Sequence, residues 1–240
     1  MRDHSEERSF REEENRPWLT QGLVVANVLI FLGQLAADRY SRFPVAEWFA
    51  LSLAGMKAGH LWQLLTYQFL HGGWLHLLLN CWALYVFGRE LELNLGRARF
   101  LKLYLFSGIL GGVVQLLCSI FSPRLFGGAV EGASAGVFGL VAAFAALFPR
   151  RQLTLLIFFV IPATIRARTL FIAAVVVAVL GAVFTVDNVA HAAHLGGMLG
   201  GLLYLNWMRS SLRRSEARVT RGGASERLAK PAVEHRRSRA

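Results

Sequence analysis

Six long apolar stretches, none with a charged residue near its middle, constrain the fold of this chain more than any other feature. A membrane-spanning helix needs about 20 mostly apolar residues, and fewer when it ends inside the protein. The hydrophobic share of 55%, counted without glycine, exceeds that of ordinary soluble domains. We therefore predict an all-α membrane protein with six transmembrane helices, at roughly 19–37, 74–88, 100–121, 134–148, 170–184 and 189–208.

A seventh apolar run, at residues 153–161, is too short to cross a bilayer and stops at Pro162. We interpret it as an interfacial or re-entrant piece of the connection between the fourth and fifth helices.

The basic residues predict the orientation of these helices, because cytoplasmic loops of membrane proteins are enriched in Lys and Arg. With the N-terminus inside, 22 of the 26 Lys and Arg residues fall on the cytoplasmic side. This predicts cytoplasmic tails at 1–17 and 209–240 around a core at 18–208. The net charge of +11 comes mostly from the second tail, where anionic lipid is a better partner than nucleic acid.

Four polar side chains lie within the predicted helices, where such groups are costly and indicate function. They are His76 and Asn80 on the second helix, Ser134 at the start of the fourth and His194 on the sixth. A rise of about 1.5 Å per residue places Ser134, His194 and His76 roughly 20–24 Å from the cytoplasmic end of their helices. A single serine or histidine in a membrane helix is more often a packing group, so the functional interpretation depends on the shared depth.

Glycines surround these polar residues. Gly132 and Gly136 flank Ser134, and Gly197 and Gly201 follow His194. Each pair has the small-xxx-small spacing that lets helix backbones approach closely. Simple helix packing explains the glycines equally well, and it is compatible with a hydroxyl that reaches an imidazole within about 3 Å.

Three segments, HGGWLHLLLN at 71–80, GASAGVFG at 132–139 and AHLGGMLGG at 193–201, resemble in this order the motifs of the rhomboid family of intramembrane serine proteases. The resemblance covers roughly residues 18–208. It implies a six-helix bundle whose short fourth helix opens inside the membrane. It also implies peptide-bond hydrolysis by a Ser–His dyad, with no cofactor and no metal.

The resemblance implies a role for each polar residue. Ser134 would be the nucleophile and His194 the general base and acid. The side chains of His76 and Asn80, with the backbone N–H of Ser134, would form the oxyanion site. Phe138 lies on the same helix face as Ser134 and resembles the aromatic residue that packs against the catalytic imidazole.

The chain departs from the family pattern at one position, where Gln63 follows Trp62 and the family often has arginine. A different fold or lipid contact of this first external loop is therefore expected. The roles of His71, which matches a family position, and of His191, one turn before His194, stay open. We prefer His194 as the base because it alone begins the His-x-x-Gly-x-x-x-Gly pattern.

The partners implied by the resemblance are transmembrane protein substrates in a lipid bilayer, most simply a bacterial plasma membrane. A substrate would enter laterally beside the fifth helix and reach a polar cavity open to the outside. The alternative is an inactive rhomboid-like protein that binds membrane clients, although such proteins typically lose the Ser or the His. A transporter or channel would require charged residues inside several helices. The physiological substrate and the oligomeric state stay open.

Overall fold

The computed structural model describes residues 16–41, 43–157, 161–184 and 189–229. The first 15 and last 11 residues, which belong to the predicted tails, lie outside these ranges. The chain divides into two compact units, Met1–Tyr204 and Leu205–Ala240. The division falls four residues before the predicted end of the core at 208, and the other domain limits remain predictions.

Helices make up most of the described chain, as the apolar stretches predict. Six of them are long, four are short, and a 3-10 turn at Tyr67–Phe69 follows the third short helix. In chain order they are α1 (Trp18–Tyr40), α2 (Val45–Phe49), α3 (Leu53–Lys57), α4 (Gln63–Thr66), α5 (Trp74–Leu95), α6 (Arg97–Phe121), α7 (Pro123–Phe126), α8 (Ser134–Leu147), α9 (Ala167–Phe184) and α10 (His191–Ala229). The six long helices contain the six predicted stretches almost completely.

Three described helices, α1, α6 and α9, are long and apolar enough to cross a membrane by length and composition. Helix α8 is equally apolar but has only 14 residues, which is the length expected of a helix that opens inside the membrane. The protein is thus an all-α membrane protein, and the number of six spans stays a prediction.

The two strands within the described ranges form an antiparallel hairpin, β1 (Gln152–Ile157) and β2 (Ile161–Arg166). It occupies the run at 153–161 that we interpreted as interfacial, of which residues 158–160 lie outside the described ranges. Pro162 pairs with Leu156. A proline fits this position because each strand of a two-stranded sheet is an edge strand.

Helix α8 is the most deeply buried of the long helices. Ten of its 14 residues are buried, and it packs against α5, α6 and α9. Most of the buried residues are Ala, Gly or Val. Their small side chains let the surrounding helices approach α8 closely, so the residue that begins this helix is held from several sides.

A buried carboxylate ties the start of α1 to α5. The N-cap residue of α1, Pro17, makes no capping hydrogen bond of its own. The carboxylate of Glu92 accepts hydrogen bonds from the backbone N–H groups of Leu19 (3.0 Å) and Thr20 (2.7 Å) and from the Thr20 hydroxyl (2.7 Å). Arg97 lies 3.7 Å from the same carboxylate. Glu92 therefore satisfies N–H groups that every helix start leaves unpaired.

The loop between α1 and α5 folds around the side chain of Gln63, which is fully buried. Its Nε2 donates to the carbonyl of Glu47 (2.8 Å), and its Oε1 accepts from the N–H of Ser52 (3.2 Å). A Cβ at Gly55 would overlap this amide. Glutamine supplies both a donor and an acceptor here. Gln63, at the position where arginine was expected from the resemblance, therefore cross-links two backbone segments of the loop.

We expect Glu92→Gln to lower the free energy of unfolding by about 1–3 kcal/mol, because an amide N–H₂ then faces buried N–H donors that a carboxylate accepted. Denaturant titration of the purified protein in detergent, followed by circular dichroism, measures this change. The matched control is Glu90→Gln on the same helix, whose partly exposed carboxylate lies 3.9 Å from Arg151. We expect Glu90→Gln to lower the free energy of unfolding by less than about 1 kcal/mol. Equal decreases in both variants would contradict the capping role of Glu92.

Candidate active site

The hydroxyl of Ser134 and the imidazole of His194 form a direct hydrogen bond. Ser134 begins α8, and His194 lies in the first turn of α10. The distance from Ser134 Oγ to His194 Nε2 is 2.8 Å, although the two residues are 60 positions apart in sequence. A neutral imidazole protonated on Nδ1 accepts the hydroxyl hydrogen at Nε2 and can activate the oxygen as a nucleophile.

Aromatic contacts limit the orientation of the His194 ring, which is 8% exposed. The Phe138 ring lies 4.3 Å from it, centroid to centroid, at an interplanar angle of 33°. The His191 ring lies 6.0 Å away and nearly perpendicular, at 86°. A Cβ at Gly181 of α9 would overlap the His191 ring, so His191 fills the space between α9 and α10, while His194 bonds the serine.

Glycines bring the backbones of α8 and α10 into direct contact. A Cβ at Gly197 would overlap the carbonyl oxygen of Ala135, and one at Gly201 would overlap that of Gly139. Both contacts lie within two turns of Ser134 or His194. The short distance between hydroxyl and imidazole therefore depends on the absence of side chains at these positions.

The two glycines beside Ser134 make different contacts from each other. Gly136 faces the ring of Tyr104 on α6. Gly132 precedes α8, has a φ of +127° and donates its N–H to the carbonyl of Tyr67 (2.9 Å). A Cβ at Gly132 would lie 2.7 Å from the His76 ring. The two glycines thus face different helices, α5 and α6, and Gly132 is required by both its φ and this close approach.

His76 and Asn80 lie on α5 beside the same segment. The N–H of Gly72 donates to His76 Nδ1 (3.4 Å), which leaves Nε2, next to Gly132, to carry the ring proton. Asn80 Nδ2 donates to the His76 carbonyl (3.0 Å), and this uses one of its two N–H bonds. The N–H of Ser134, the first residue of α8, has no acceptor within its own helix. These three groups are the donors predicted for the oxyanion site.

A cavity of about 870 Å³ connects the predicted site residues. Five polar side chains line it: His76, Asn80, Glu131, Ser134 and His194. The other fifteen lining residues are apolar or glycine, with Leu75, Trp82 and Phe87 from α5 and Leu170 and Ala174 from α9. Apolar residues therefore form most of the cavity wall, and the cavity is less polar than the sequence predicts.

The buried ring of His71 packs against the ring of His76. The side chain is 1% exposed, and its ring lies 5.2 Å from that of His76 at 66°. The His71 N–H donates to Gln34 Oε1 (3.2 Å) on α1. Burial, with the nearby His76 as a second cause, lowers the pKa of His71 to about 4. The ring is therefore neutral at physiological pH and acts as a packing group.

Sequence reasoning did not select Gln34, Gly72 or Glu131, although each contacts this region. An isolated glutamine on an apolar helix and a single glutamate in a loop have no spacing pattern that indicates a site. Among the described residues no group of His, Cys, Asp or Glu has a metal-binding arrangement. The arrangement itself, an activated hydroxyl beside several hydrogen-bond donors, can perform acyl transfer.

Comparison with protein families matches residues 58–211 to the rhomboid domain. Rhomboid protease GluP of Bacillus subtilis (strain 168) is 34% identical over 192 residues, which cover 79% of this chain and 34% of GluP. The mitochondrial Rhomboid protein 1 of Saccharomyces cerevisiae is 32% identical over 150 residues, or 62% of this chain and 42% of that protein.

A third relative, the putative rhomboid protease YdcA of Bacillus subtilis (strain 168), is 32% identical over 158 residues, or 62% of this chain and 68% of YdcA. The chain thus spans less than half the length of the first two relatives and about two thirds of the third.

We expect Gly197→Ala to separate α8 from α10 and to reduce modification of Ser134 by a serine-directed fluorophosphonate at least tenfold, because the added methyl group overlaps the Ala135 carbonyl. Intact-protein mass spectrometry measures the modification rate. Gly33→Ala on α1 is the matched control, since a Cβ there meets nothing within 4 Å. Equal rates for Gly197→Ala and the unsubstituted protein would contradict the importance of this contact.

Proposed function

The chain belongs to the rhomboid family, and we propose that it is an intramembrane serine endopeptidase that cleaves transmembrane segments of membrane proteins through a Ser134–His194 dyad. The observation that supports this most directly is the distance of 2.8 Å between Ser134 Oγ and His194 Nε2. Relatives that carry the word protease in their names, such as GluP and YdcA, support it further.

In the proposed reaction, Ser134 Oγ attacks the carbonyl carbon of the substrate peptide bond while His194 Nε2 takes the hydroxyl proton. The imidazolium then gives this proton to the leaving amine, which departs and leaves an acyl ester on Ser134. A water molecule, deprotonated by the same imidazole, attacks the ester, and the regenerated Ser134 hydroxyl ends the cycle. The contact of Phe138 with the His194 ring favours one ring orientation for both transfers.

The tetrahedral intermediate carries negative charge on the former carbonyl oxygen. The proposed donors to this oxygen are His76 Nε2, the second N–H of Asn80 and the backbone N–H of Ser134. Donors fixed where charge develops contribute more in a site that excludes bulk water than they would in solution. The bonds from Gly72 to His76 and from Asn80 to the His76 carbonyl fix both side chains before a substrate binds.

The proposed substrate path leads from the bilayer between α5 and α9 into the cavity. Leu170 and Ala174 of α9 line the cavity, and only Ala167, Ala178 and Gly181 of this helix are buried. An element with few buried contacts opens at low cost in free energy. The protein is an integral membrane protein, and a bacterial plasma membrane is the location we propose.

We expect Ser134→Ala and His194→Ala to reduce cleavage of a single-span test substrate by at least about 10³-fold, because each removes one half of the dyad. Gel analysis of purified enzyme and substrate in lipid vesicles measures the product. Ser41→Ala is the control, since this serine is exposed and its hydroxyl bonds only nearby backbone groups, the carbonyl of Ala37 and the N–H of Phe43. Cleavage by Ser134→Ala at the unsubstituted rate would reject the dyad. No cleavage by the unsubstituted protein is instead the result expected of an inactive client-binding protein.

We expect His76→Ala and Asn80→Ala to retain measurable cleavage and to lower kcat by about 10- to 10³-fold, with little change in KM, because oxyanion donors act in the transition state. Initial rates over a range of substrate concentrations separate the two constants. Asn94→Ala is a matched control on the same helix, since Asn94 also donates to the carbonyl four residues earlier (2.6 Å) but is exposed. An effect of Asn80→Ala on KM alone would contradict the oxyanion role.

A further inference from the structure

The cavity contains one formally charged side chain that the proposed reaction does not use. Glu131 lies three residues before Ser134 and lines the same cavity as the dyad. Among the 20 lining residues it is the only Asp, Glu, Lys or Arg. A substrate segment that brings its peptide bond to Ser134 must therefore pass close to this carboxylate.

Neighbouring groups hold the Glu131 side chain in position. The Gln34 side chain on α1 lies close enough to favour the charged form of the carboxylate, and its Oε1 accepts from the backbone N–H of His71 (3.2 Å). Glu131 Oε1 also lies against Gly72, where an added Cβ would be 3.0 Å from it. The carboxylate is thus fixed beside the segment that leads into α5, at the wall of the cavity.

No cationic side chain of the described chain neutralises this carboxylate. The ion pairs within the described residues join Arg97 to Glu92 and Arg151 to Glu90. The charged neighbour of Glu131 is Asp38, which has the same sign. Burial first, and then Asp38, raise the pKa of Glu131, and the Gln34 side chain opposes them. A cation brought close to Glu131 would relieve both unfavourable effects.

We propose that Glu131 is a specificity-determining residue that selects substrates with a lysine or arginine within about four residues of the scissile bond. An extended substrate advances about 3.3 Å per residue, so four residues on either side of the scissile bond reach about 13 Å from Ser134. This inference rests on the proposed protease function and names the substrate class.

The selected class would be a narrow one. The segments that flank transmembrane helices on the outer side contain few Lys and Arg residues, and a cationic side chain inside the bilayer is costly. A membrane protein with a basic residue at the outer end of its helix would gain a favourable contact in this cavity that most membrane proteins cannot make. The cavity would partly shield the charge pair from water. Attraction between the two charges is stronger in such a site than at an open surface.

The test uses the full chain in lipid vesicles and a set of single-span substrates. Each substrate carries Lys, Gln or Glu at one of the four positions on either side of the scissile bond. We expect kcat/KM for the Lys substrate to exceed that for the Gln substrate about five- to tenfold at one or two adjacent positions. The Glu substrate is expected to be the poorest at the same positions.

Charge exchange distinguishes specificity from a structural role. Glu131→Gln should bring the Lys-to-Gln ratio of kcat/KM close to one, and Glu131→Lys should make the Glu substrate better than the Lys substrate. If the role of Glu131 were purely structural, its substitution would lower kcat/KM for all substrates by the same factor and leave the Lys-to-Gln ratio unchanged. Glu47→Gln is the control, because this carboxylate belongs to α2 and does not line the cavity, and it should keep the ratio of the unsubstituted enzyme.

The outcomes separate the two proposals. Equal kcat/KM for Lys and Gln substrates at every position, with cleavage lost in Ser134→Ala, would overturn the role of Glu131 and leave the protease function standing. The same holds for a Lys preference that Glu131→Gln does not change. If Glu131 variants do not fold, the substrate series with the unsubstituted enzyme still decides. Absence of cleavage of every substrate would instead count against the proposed function.

Discussion

The direct backbone contact between α8 and α10 is the constraint on which the rest of the structure depends. A side chain at Gly197 or Gly201 would overlap a carbonyl of α8, and the hydrogen bond between Ser134 and His194 requires this separation. In lipid, apolar side chains gain little by leaving their surroundings, so helices associate through close packing and polar contacts. Small residues are therefore the means by which this bundle positions its reactive groups.

The close packing at the centre is accompanied by polar ties at the ends of the helices. Glu92 closes the start of α1 against α5, and Gln63 holds the loop that follows α1. Gln34 joins α1 to the start of α5. Glu92 and Gln63 are buried and each makes more than one bond, which is what a low-dielectric environment demands of a polar side chain. The ties fix α1 and α5 around the central helix, and α5 carries His76 and Asn80.

The sequence predicted the long helices because apolar length is a strong signal. The proximity of Ser134 to His194 was predicted from their shared depth, the neighbouring glycines and the order of the three motifs. It did not predict the hairpin at β1 and β2, because a short apolar run fits a strand and a helical turn equally well. The contacts of Gly132 with His76 and of Gly136 with Tyr104 depend on the rotation of α8, which a four-residue spacing does not determine. Glu131 and Gln34 meet only through tertiary structure, so neither gave a local signal.

Helices α8 and α9 are buried to different extents. One bundle can therefore hold two side chains at a fixed distance beside a cavity wall that contains few buried residues. Helix α8 is buried along most of its length, whereas α9 is buried at Ala167 near one end and at Ala178 and Gly181 near the other. Between these points no residue of α9 is buried, and Leu170 and Ala174 in this stretch line the cavity. Phe171, Ala174 and Val175 in this stretch are partly buried and pack against the cluster of Ala142, Ala178 and Met198. The contacts that set the Ser134–His194 distance belong to α8 and α10, whereas α9 contributes to the cavity wall.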